Sequence, residues 1–328
     1  MFRPFYRCGV KIAIALLAGI LPAAYAQAQT FPDKPIHLIV PFGPGGATDI
    51  VGRLVAEKMS ENLGQVVVVE NKSGAGGIIG TTAVMRSAPD GYTLLMTTIG
   101  FGANPALLGD KLPFDPVKDF TPISQLVNVP TVLVIHPSVP ARSAKELIEL
   151  AKAKPGTLTF GSANFGTINH LAGELVNSMV GVDMVHVPYR SGGASVAAVV
   201  GGQISMLFAT TPSSLSFIES GALIPLAVSG SNRLSQLPDV PPLGDTIPGF
   251  SVVEWQGIVG PAGMPKPIVD KLHKSIVTAL HDPALVKRLN DLGAEVVAGT
   301  PEELADHVKS EVVKWKKVAE QTGMAIKQ

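Results

Sequence analysis

The feature that most constrains this chain is the segment PFGPGGATD, residues 41–49, which separates two kinds of apolar pattern. Before it, residues 36–42 form a short apolar run, typical of a buried strand in a parallel sheet. After it, four apolar residues recur at helical spacing: Ile50, Leu54, Val55 and Met59. The segment is therefore predicted to be a tight turn that opens a helix. Unpaired backbone N–H groups and the helix dipole at such a turn favour a carboxylate or a phosphate, and glycines let the anion approach closely.

The same order of apolar run, glycine-bearing polar turn and helix recurs at residues 74–80, 161–167 and 188–193. Strands that alternate with helices predict an α/β fold with mostly parallel sheets flanked by helices. Ligands of open α/β sheets bind beyond the carboxyl ends of the strands, where all four turns lie. Two turns come from each half of the chain. We therefore predict two lobes that face each other across a ligand cleft.

A length of 328 residues also suggests about two domains. We expect the first domain to begin with residues 29–128 and the chain to cross near Val129 into a second domain, residues 129–252. A strand near residues 252–259 then leads back, so that residues 253–328, with three closing helices, complete the first domain.

The N-terminus has the order of a secretory signal peptide. Arg3, Arg7 and Lys11 precede a short apolar stretch and the small-residue motif Ala-Tyr-Ala that ends at Ala26. We place the signal peptide at residues 1–26, with cleavage after Ala28 as the alternative. Removal of three basic residues leaves 23 basic against 26 acidic groups, a net charge near −3.

Cysteine use fits the same interpretation. The single cysteine, Cys8, lies in the predicted signal peptide, and no cysteine follows the cleavage site to carry a lipid anchor. The mature chain would thus have no thiol for a disulfide or a nucleophile. We expect a soluble periplasmic protein, with extracellular release as the weaker alternative.

Several classes of function are disfavoured. A net charge of zero and few aromatic residues give no footprint for nucleic acid. The turn at residues 74–80 lacks the third glycine of a dinucleotide fingerprint, since Ile79 stands at that position. Ser162 does not lie in a G-x-S-x-G elbow, His170 fits a structural hydrogen-bonding histidine, and no spacing predicts a metal site. We therefore predict no catalytic residue, no metal and no cofactor.

Further along the chain, three segments give predictions that the structure can test. Residues 100–119, rich in Gly, Pro and Asp, are predicted to be a loop, and the Pro-rich residues 237–248 a linker-like surface segment. The last helix is predicted to be capped by Thr300 and docked through Val308 and Trp315.

Seven sequence blocks together resemble the Bug family, the periplasmic solute receptors of tripartite tricarboxylate transporters. They are PFGPGGATD, VENKSGAGGIIG, PDGYTLL, HLAGE, VHVPYRSGG, GGQISMLF and WQGIVGPAG. The similarity extends from about Phe31 to the C-terminus. It implies a two-lobed, type II-like periplasmic binding protein, a monomer and not an enzyme, that captures a di- or tricarboxylate or an aromatic acid and delivers it to membrane permease subunits.

The resemblance also implies which residues bind the ligand. In the first lobe these are Phe42, Gly45, Gly46, Asp49, Ala75 and Gly76. In the second lobe they are Ser162, Ala163, Asn164 and Thr167, with Tyr189 and Ser191 completing the wall.

The chain departs from the family pattern at residue 209. Relatives often have an acidic or amide residue there that could hold a ligand amine, whereas this chain has Ala209, which favours a carboxylate without an amine. Ser191 and Ala194 also replace the more usual glycine and proline. Two other functions stay open: a receptor that presents its ligand to a sensor kinase, and a periplasmic enzyme acting on a carboxylate.

Overall fold

The structure is a computed structural model that describes residues 1–2 and 31–322. Cys8, both predicted cleavage sites and all but the first two residues of the predicted signal peptide lie outside the described residues.

The described chain alternates strands and helices, and its elements fall into three consecutive groups. The first comprises β1 (Ile36–Val40), α1 (Ala47–Leu63), β2 (Val67–Asn71), α2 (Ile78–Met85), β3 (Thr93–Thr97), α3 (Ile99–Leu108) and β4 (Phe120–Val129). The second comprises β5 (Thr131–Ile135), α4 (Ala144–Ala153), β6 (Thr159–Ser162), α5 (Ile168–Val180), β7 (Val185–Pro188), α6 (Gly192–Val200), β8 (Met206–Thr210), α7 (Thr211–Glu219) and β9 (Ile224–Val228). The third comprises β10 (Glu254–Pro261), α8 (Lys266–Leu280), α9 (Pro283–Asp291), β11 (Glu295–Val296) and α10 (Pro301–Thr322).

Two sheets organise these elements into two lobes. The first lobe has six strands in the order β11-β4-β10-β3-β1-β2, and the second has five in the order β7-β6-β8-β5-β9. The predicted α/β fold with two helix-flanked lobes is thus confirmed. The lobe boundaries at residues 128/129 and 252/253 stay a prediction, although the middle group of elements forms the second sheet on its own.

Both sheets are mixed, which differs from the predicted mostly parallel pairing. Strand β1 pairs in parallel with β2 and β3, and β6 pairs in parallel with β7 and β8. Strand β10, which returns from the second lobe, is antiparallel to β3 and β4, and β5, which enters that lobe, is antiparallel to β8 and β9. Because β5 and β10 follow the crossings between lobes, they have no preceding crossover helix in their own sheet and can pair antiparallel.

The apolar runs of the sequence become central strands. Ile36 and Leu38 of β1 have no exposed surface, since helices or neighbouring strands cover both faces. Trp315 and Val308 are buried, so the predicted docking of α10 is confirmed. The Trp315 indole N–H also donates to Glu311 Oε2 at 2.9 Å.

The prediction of a loop over residues 100–119 is wrong in its first half, which forms α3. Its glycines serve close packing instead of a turn. A Cβ on Gly102 would lie 2.7 Å from the Cβ of Glu311 in α10, and one on Gly100 would lie 2.7 Å from the Gly166 carbonyl oxygen of the second lobe. Glycines therefore do not end this helix. They allow neighbouring segments to pack too close for a side chain.

The Pro-rich residues 237–248 are not a surface linker either. Leu243 and Ile247 are 1% and 3% exposed and pack in the same core cluster as Phe208 of β8. A short 3-10 turn, Leu243–Asp245, orients them. Apolar side chains at irregular spacing can thus be core residues even though periodicity does not reveal them.

Candidate functional site

A cavity lies between the two lobes at the carboxyl ends of their strands. About 510 Å³ of space free of protein atoms lies among its lining residues, part of it open to solvent. Lining residues from the first lobe are Phe42, Gly43, Gly46, Ala47, Thr48, Asp49, Thr98, Glu254 and Gln256. Those from the second lobe are Ala163, Thr167, Ile168, Asn169, Gly192, Val196, Leu207, Ala209, Thr210 and Ser213.

Five helices begin at this cavity. Four N-cap residues line it, namely Gly46 of α1, Thr98 of α3, Thr167 of α5 and Thr210 of α7, and α6 contributes its first residue, Gly192. The first N–H groups of each helix lack intrahelical partners, and each dipole adds partial positive charge. None of the lining residues is a lysine or an arginine. The cavity therefore has the chemistry to hold a small anion through backbone N–H groups.

Asp49 holds the turn before α1 in place. Its carboxylate accepts hydrogen bonds from the Gly45 N–H at 3.1 Å, from Arg53 Nε at 3.0 Å and from Asn71 Nδ2 at 2.9 Å. Burial by itself would raise the pKa of Asp49, but the hydrogen bonds from Arg53 and Asn71 outweigh it and lower that pKa. Asp49 is thus an ionised group whose charge is already compensated within the first lobe.

Glycines bring the two lobes into contact beside the cavity. A Cβ on Gly46 would lie 3.6 Å from the backbone nitrogen of Gly192, and one on Gly193 would lie 3.2 Å from the carbonyl oxygen of Gly45. Gly45 has a φ of +84°, a conformation that favours glycine. The turn at residues 41–49 and the turn before α6 therefore meet across the cleft.

The second glycine turn forms another contact between the lobes. A Cβ on Gly76 would lie 2.5 Å from the carbonyl oxygen of Phe165, and the φ of Gly76 is +65°. Together with the approach of Gly100 to the Gly166 carbonyl, this contact holds the turn before α5 against the first lobe. The lobes are accordingly closed around the cavity.

The structure brings together some of the residues predicted to bind ligand and not others. Phe42, Gly46, Asp49, Ala163 and Thr167 line the cavity. The remaining predicted residues lie outside its lining: Gly45, Ala75, Gly76, Ser162, Asn164, Tyr189 and Ser191. Gly45 and Gly76 lie at the lobe contacts described above. The Ser191 side chain instead caps α6 by accepting the Ala194 N–H at 3.2 Å.

The sequence prediction missed two polar residues of β10, Glu254 and Gln256, which line the cavity. It also missed the starts of α3 and α7. The sequence does contain an indication of Glu254 and Gln256. These two polar residues lie two positions apart in an otherwise apolar strand, which places both side chains on one face. The start of α3 was hidden by the wrong prediction of a loop there.

Ser162 and two histidines, buried His170 and half-buried His186, form a cluster beside the turn before α5. Ser162 Oγ lies 2.6 Å from His186 Nε2, and the His170 and His186 rings are 4.5 Å apart. Burial lowers the pKa of His186 to about 4 and, with the nearby His186, that of His170 to about 3. Because Ser162 has no exposed surface and its hydroxyl also bonds the Asn164 carbonyl at 3.0 Å, the cluster supports the turn and presents no nucleophile to the cavity.

Over residues 1–2 and 31–322, no group of three histidine, cysteine or acidic side chains is placed to hold a metal ion. Within the same residues, no helix has the length and apolarity needed to cross a membrane.

Comparison with known proteins identifies similar chains. The family model for the tripartite tricarboxylate transporter family receptor matches residues 51–324. Protein BugT of Bordetella pertussis is 36% identical over 324 residues, which cover 97% of each chain.

Similar solved structures share the fold at high coverage. The periplasmic binding protein BugD is 36% identical, with a TM-score of 0.87 over 90% of this chain and 99% of its own. The R. palustris protein Rpa4515 with adipate is 33% identical, with a TM-score of 0.87 over 90% and 99% of the two chains. MatC (Rpa3494) from Rhodopseudomonas palustris with bound malate is 33% identical, with a TM-score of 0.85 over 88% and 99%.

Proposed function

This chain belongs to the receptor family of the tripartite tricarboxylate transporters, as the resemblance to Bug proteins indicated, and we propose that it captures a small carboxylate and delivers it to a membrane permease. The observation that carries this proposal is the convergence of five helix N-termini on one cavity between closed lobes. A carboxylate there receives backbone N–H donors from both lobes without a basic side chain.

In this proposal the carboxylate lies between Gly46 at the start of α1 and Thr167 at the start of α5. Phe42 and Ala163 flank it, and Gly192 closes the remaining side. Asp49 holds the turn before α1 and does not bind the ligand, since its oxygens already accept three hydrogen bonds. Four residues outside the cavity lining shape the second-lobe turns: Ser162, Asn164, Tyr189 and Ser191.

Two similar proteins were solved with adipate and with malate, both dicarboxylates, which supports a ligand of that class. Ala209 also lines the cavity and offers no polar group on β8. A dicarboxylate without an amine is therefore the ligand that this proposal favours.

Delivery requires that the receptor meet its ligand outside the cytoplasm. Arg3, Arg7 and Lys11 followed by an apolar stretch support export through a signal peptide, and hence a periplasmic location. Closure of the lobes around the ligand would then present a surface to the permease that the open state lacks.

The proposal is tested on protein purified from the periplasm without refolding. Mass spectrometry of the released small molecules should identify a carboxylate, and calorimetry should show that it binds again to the stripped protein. Small-angle scattering should show a smaller radius of gyration at saturation with that ligand. If no carboxylate from a panel of dicarboxylates, tricarboxylates and aromatic acids binds, the proposed function is wrong.

A further inference from the structure

Two polar side chains of β10 extend into the cavity where the chain returns from the second lobe. Glu254 and Gln256 are 4% and 0% exposed, and both line the cavity. Gln256 Oε1 is buried with no hydrogen-bond partner among the described residues, and Gln256 Nε2 reaches Thr48 Oγ1 only at 3.4 Å. The Nε2 group therefore keeps N–H donors for a ligand in the cavity, whereas Oε1 can only accept a hydrogen bond and is no partner for a carboxylate.

Glu254 is buried without a cation. Its Oε1 accepts the Ile99 N–H at 3.1 Å, and no ion pair in the described chain includes it. Charged side chains on the helices around Glu254 already form ion pairs with other residues. Asp49 of α1 pairs with Arg53, while Glu311 of α10 pairs with Lys314. His307 of α10 packs against Trp255, and α3 contains no titratable side chain.

These surroundings favour the neutral acid. Burial, together with the charge of Glu311, raises the pKa of Glu254 to about 8, although the hydrogen bond from Ile99 acts in the opposite direction. At neutral pH most of the population therefore carries a carboxylic acid O–H at this position. A neutral acid can donate a hydrogen bond, whereas a carboxylate can only accept one.

We propose that Glu254 determines specificity by donating its carboxylic acid proton in a hydrogen bond to the bound carboxylate, with the Gln256 Nε2 N–H as the second donor. This inference rests on the proposed function, because it needs a carboxylate in the cavity. The ligand then binds to the protonated receptor, so that binding includes proton uptake at Glu254, which rises from a small fraction of a proton near pH 7 toward one proton per site at high pH. An ionised Glu254 would instead repel the ligand.

The test is calorimetry of the mature protein at pH 8 in two buffers of different ionisation enthalpy. Succinate, malate, adipate and benzoate serve as probes, since all are fully ionised at that pH. The probe that binds should take up about half a proton per site at pH 8, and its affinity should fall about fivefold between pH 8 and pH 9 while staying constant below pH 7.

Variants test whether the proton taken up on binding goes to Glu254. Glu254→Gln keeps a neutral donor of similar shape, so the fall in affinity above pH 8 and the proton uptake should disappear, with a loss of less than tenfold at pH 7. Glu254→Leu has no hydrogen-bond donor at this position, so its affinity at pH 7 should fall further than that of Glu254→Gln. Glu57→Gln removes an exposed glutamate of α1 and should keep the parental pH profile.

The outcomes separate this inference from the proposed function. Binding of a probe with no proton uptake at pH 8 overturns the role of Glu254 and leaves the receptor function intact. Proton release, with loss of binding in Glu254→Gln, also overturns it, because Glu254 would then accept a hydrogen bond as a carboxylate. Failure of every probe to bind counts against the proposed function and against this inference with it. The measurement on the parent protein decides even if a variant does not fold.

Discussion

The turns before α1 and α2 are similar in sequence, since both follow a strand and are rich in glycine, but they make different contacts in the structure. The turn before α1 ends in Gly46, has extended backbone at that residue and lines the cavity. The turn before α2 has three glycines at positive φ, Gly74, Gly76 and Gly77, and does not line the cavity. Gly76 instead contacts the other lobe. A glycine-rich turn thus indicates close approach of something to the backbone, and only the fold shows whether that is a ligand or another lobe.

Gly46→Val should have the largest effect on binding. The φ of Gly46 is −86°, which valine can adopt, so the substitution does not strain the backbone. The branched side chain would instead enter the space between Gly46 and Gly192, where a Cβ alone already lies 3.6 Å from the Gly192 nitrogen. We expect affinity to fall by more than about a hundredfold, or about 2.7 kcal/mol, by calorimetry.

A matched series separates binding from folding. Gly46→Ala adds only the Cβ and should lose less affinity than Gly46→Val. Gly64→Ala at the other end of α1, with a φ of +66° and no neighbour within 4 Å, should lower the melting temperature and leave affinity unchanged. Equal affinity in Gly46→Val and the parent would show that the anion does not lie at the start of α1.

Gly76→Ala should have the next largest effect, through closure instead of ligand contact. Its Cβ would lie 2.5 Å from the carbonyl oxygen of Phe165, a residue of the other lobe, so it should oppose the approach of the two lobes. We expect affinity to fall about tenfold, or about 1.4 kcal/mol, for every ligand alike, with less compaction in small-angle scattering. Gly181→Ala is the control, because Gly181 has nearly the same φ, +66°, and no neighbour within 4 Å. A loss of affinity as large in Gly181→Ala would mean that strain, not closure, is responsible.

Asp49→Asn tests whether the Asp49 carboxylate stabilises the turn before α1. The variant loses the charge-assisted bond with Arg53, so the free energy of unfolding should fall by about 1–3 kcal/mol at pH 7. Because the folded state lowers the pKa of Asp49, the stability from its ionised form is present above the ordinary value of 3.8 and is lost as the pH falls through the lower folded-state pKa. Melting curves should therefore differ most above pH 4 and converge in acid. A constant difference from pH 7 to the acid limit would contradict this role.

The sequence predicted the fold well where local patterns decide it. The apolar runs before the turns became β1 and β6, and the helix starts at Gly46 and Thr167 became N-termini at the cavity. It failed where a tertiary contact overrides local propensity, as in α3, whose glycines pack against Glu311 and Gly166. For Glu254 and Gln256, the alternation in β10 shows only that both side chains lie on one face; that this face meets the starts of α1 and α3 follows from the folded chain alone.

Thr167→Ala should have the smallest effect, although Thr167 lines the cavity. The structure shows that Thr167 Oγ1 donates to the Asn164 carbonyl at 2.7 Å, so its proton is already used to hold the turn before α5. Alanine would remove that internal bond, worth about 0.5–1.5 kcal/mol, and affinity should fall by less than about tenfold. Thr167→Ser keeps the hydroxyl and should restore both affinity and melting temperature. If alanine instead costs a hundredfold in affinity with no change in melting temperature, the hydroxyl turns to the ligand on binding, and the starts of α1 and α5 then contribute to the site in different ways, one through backbone and the other through a side chain.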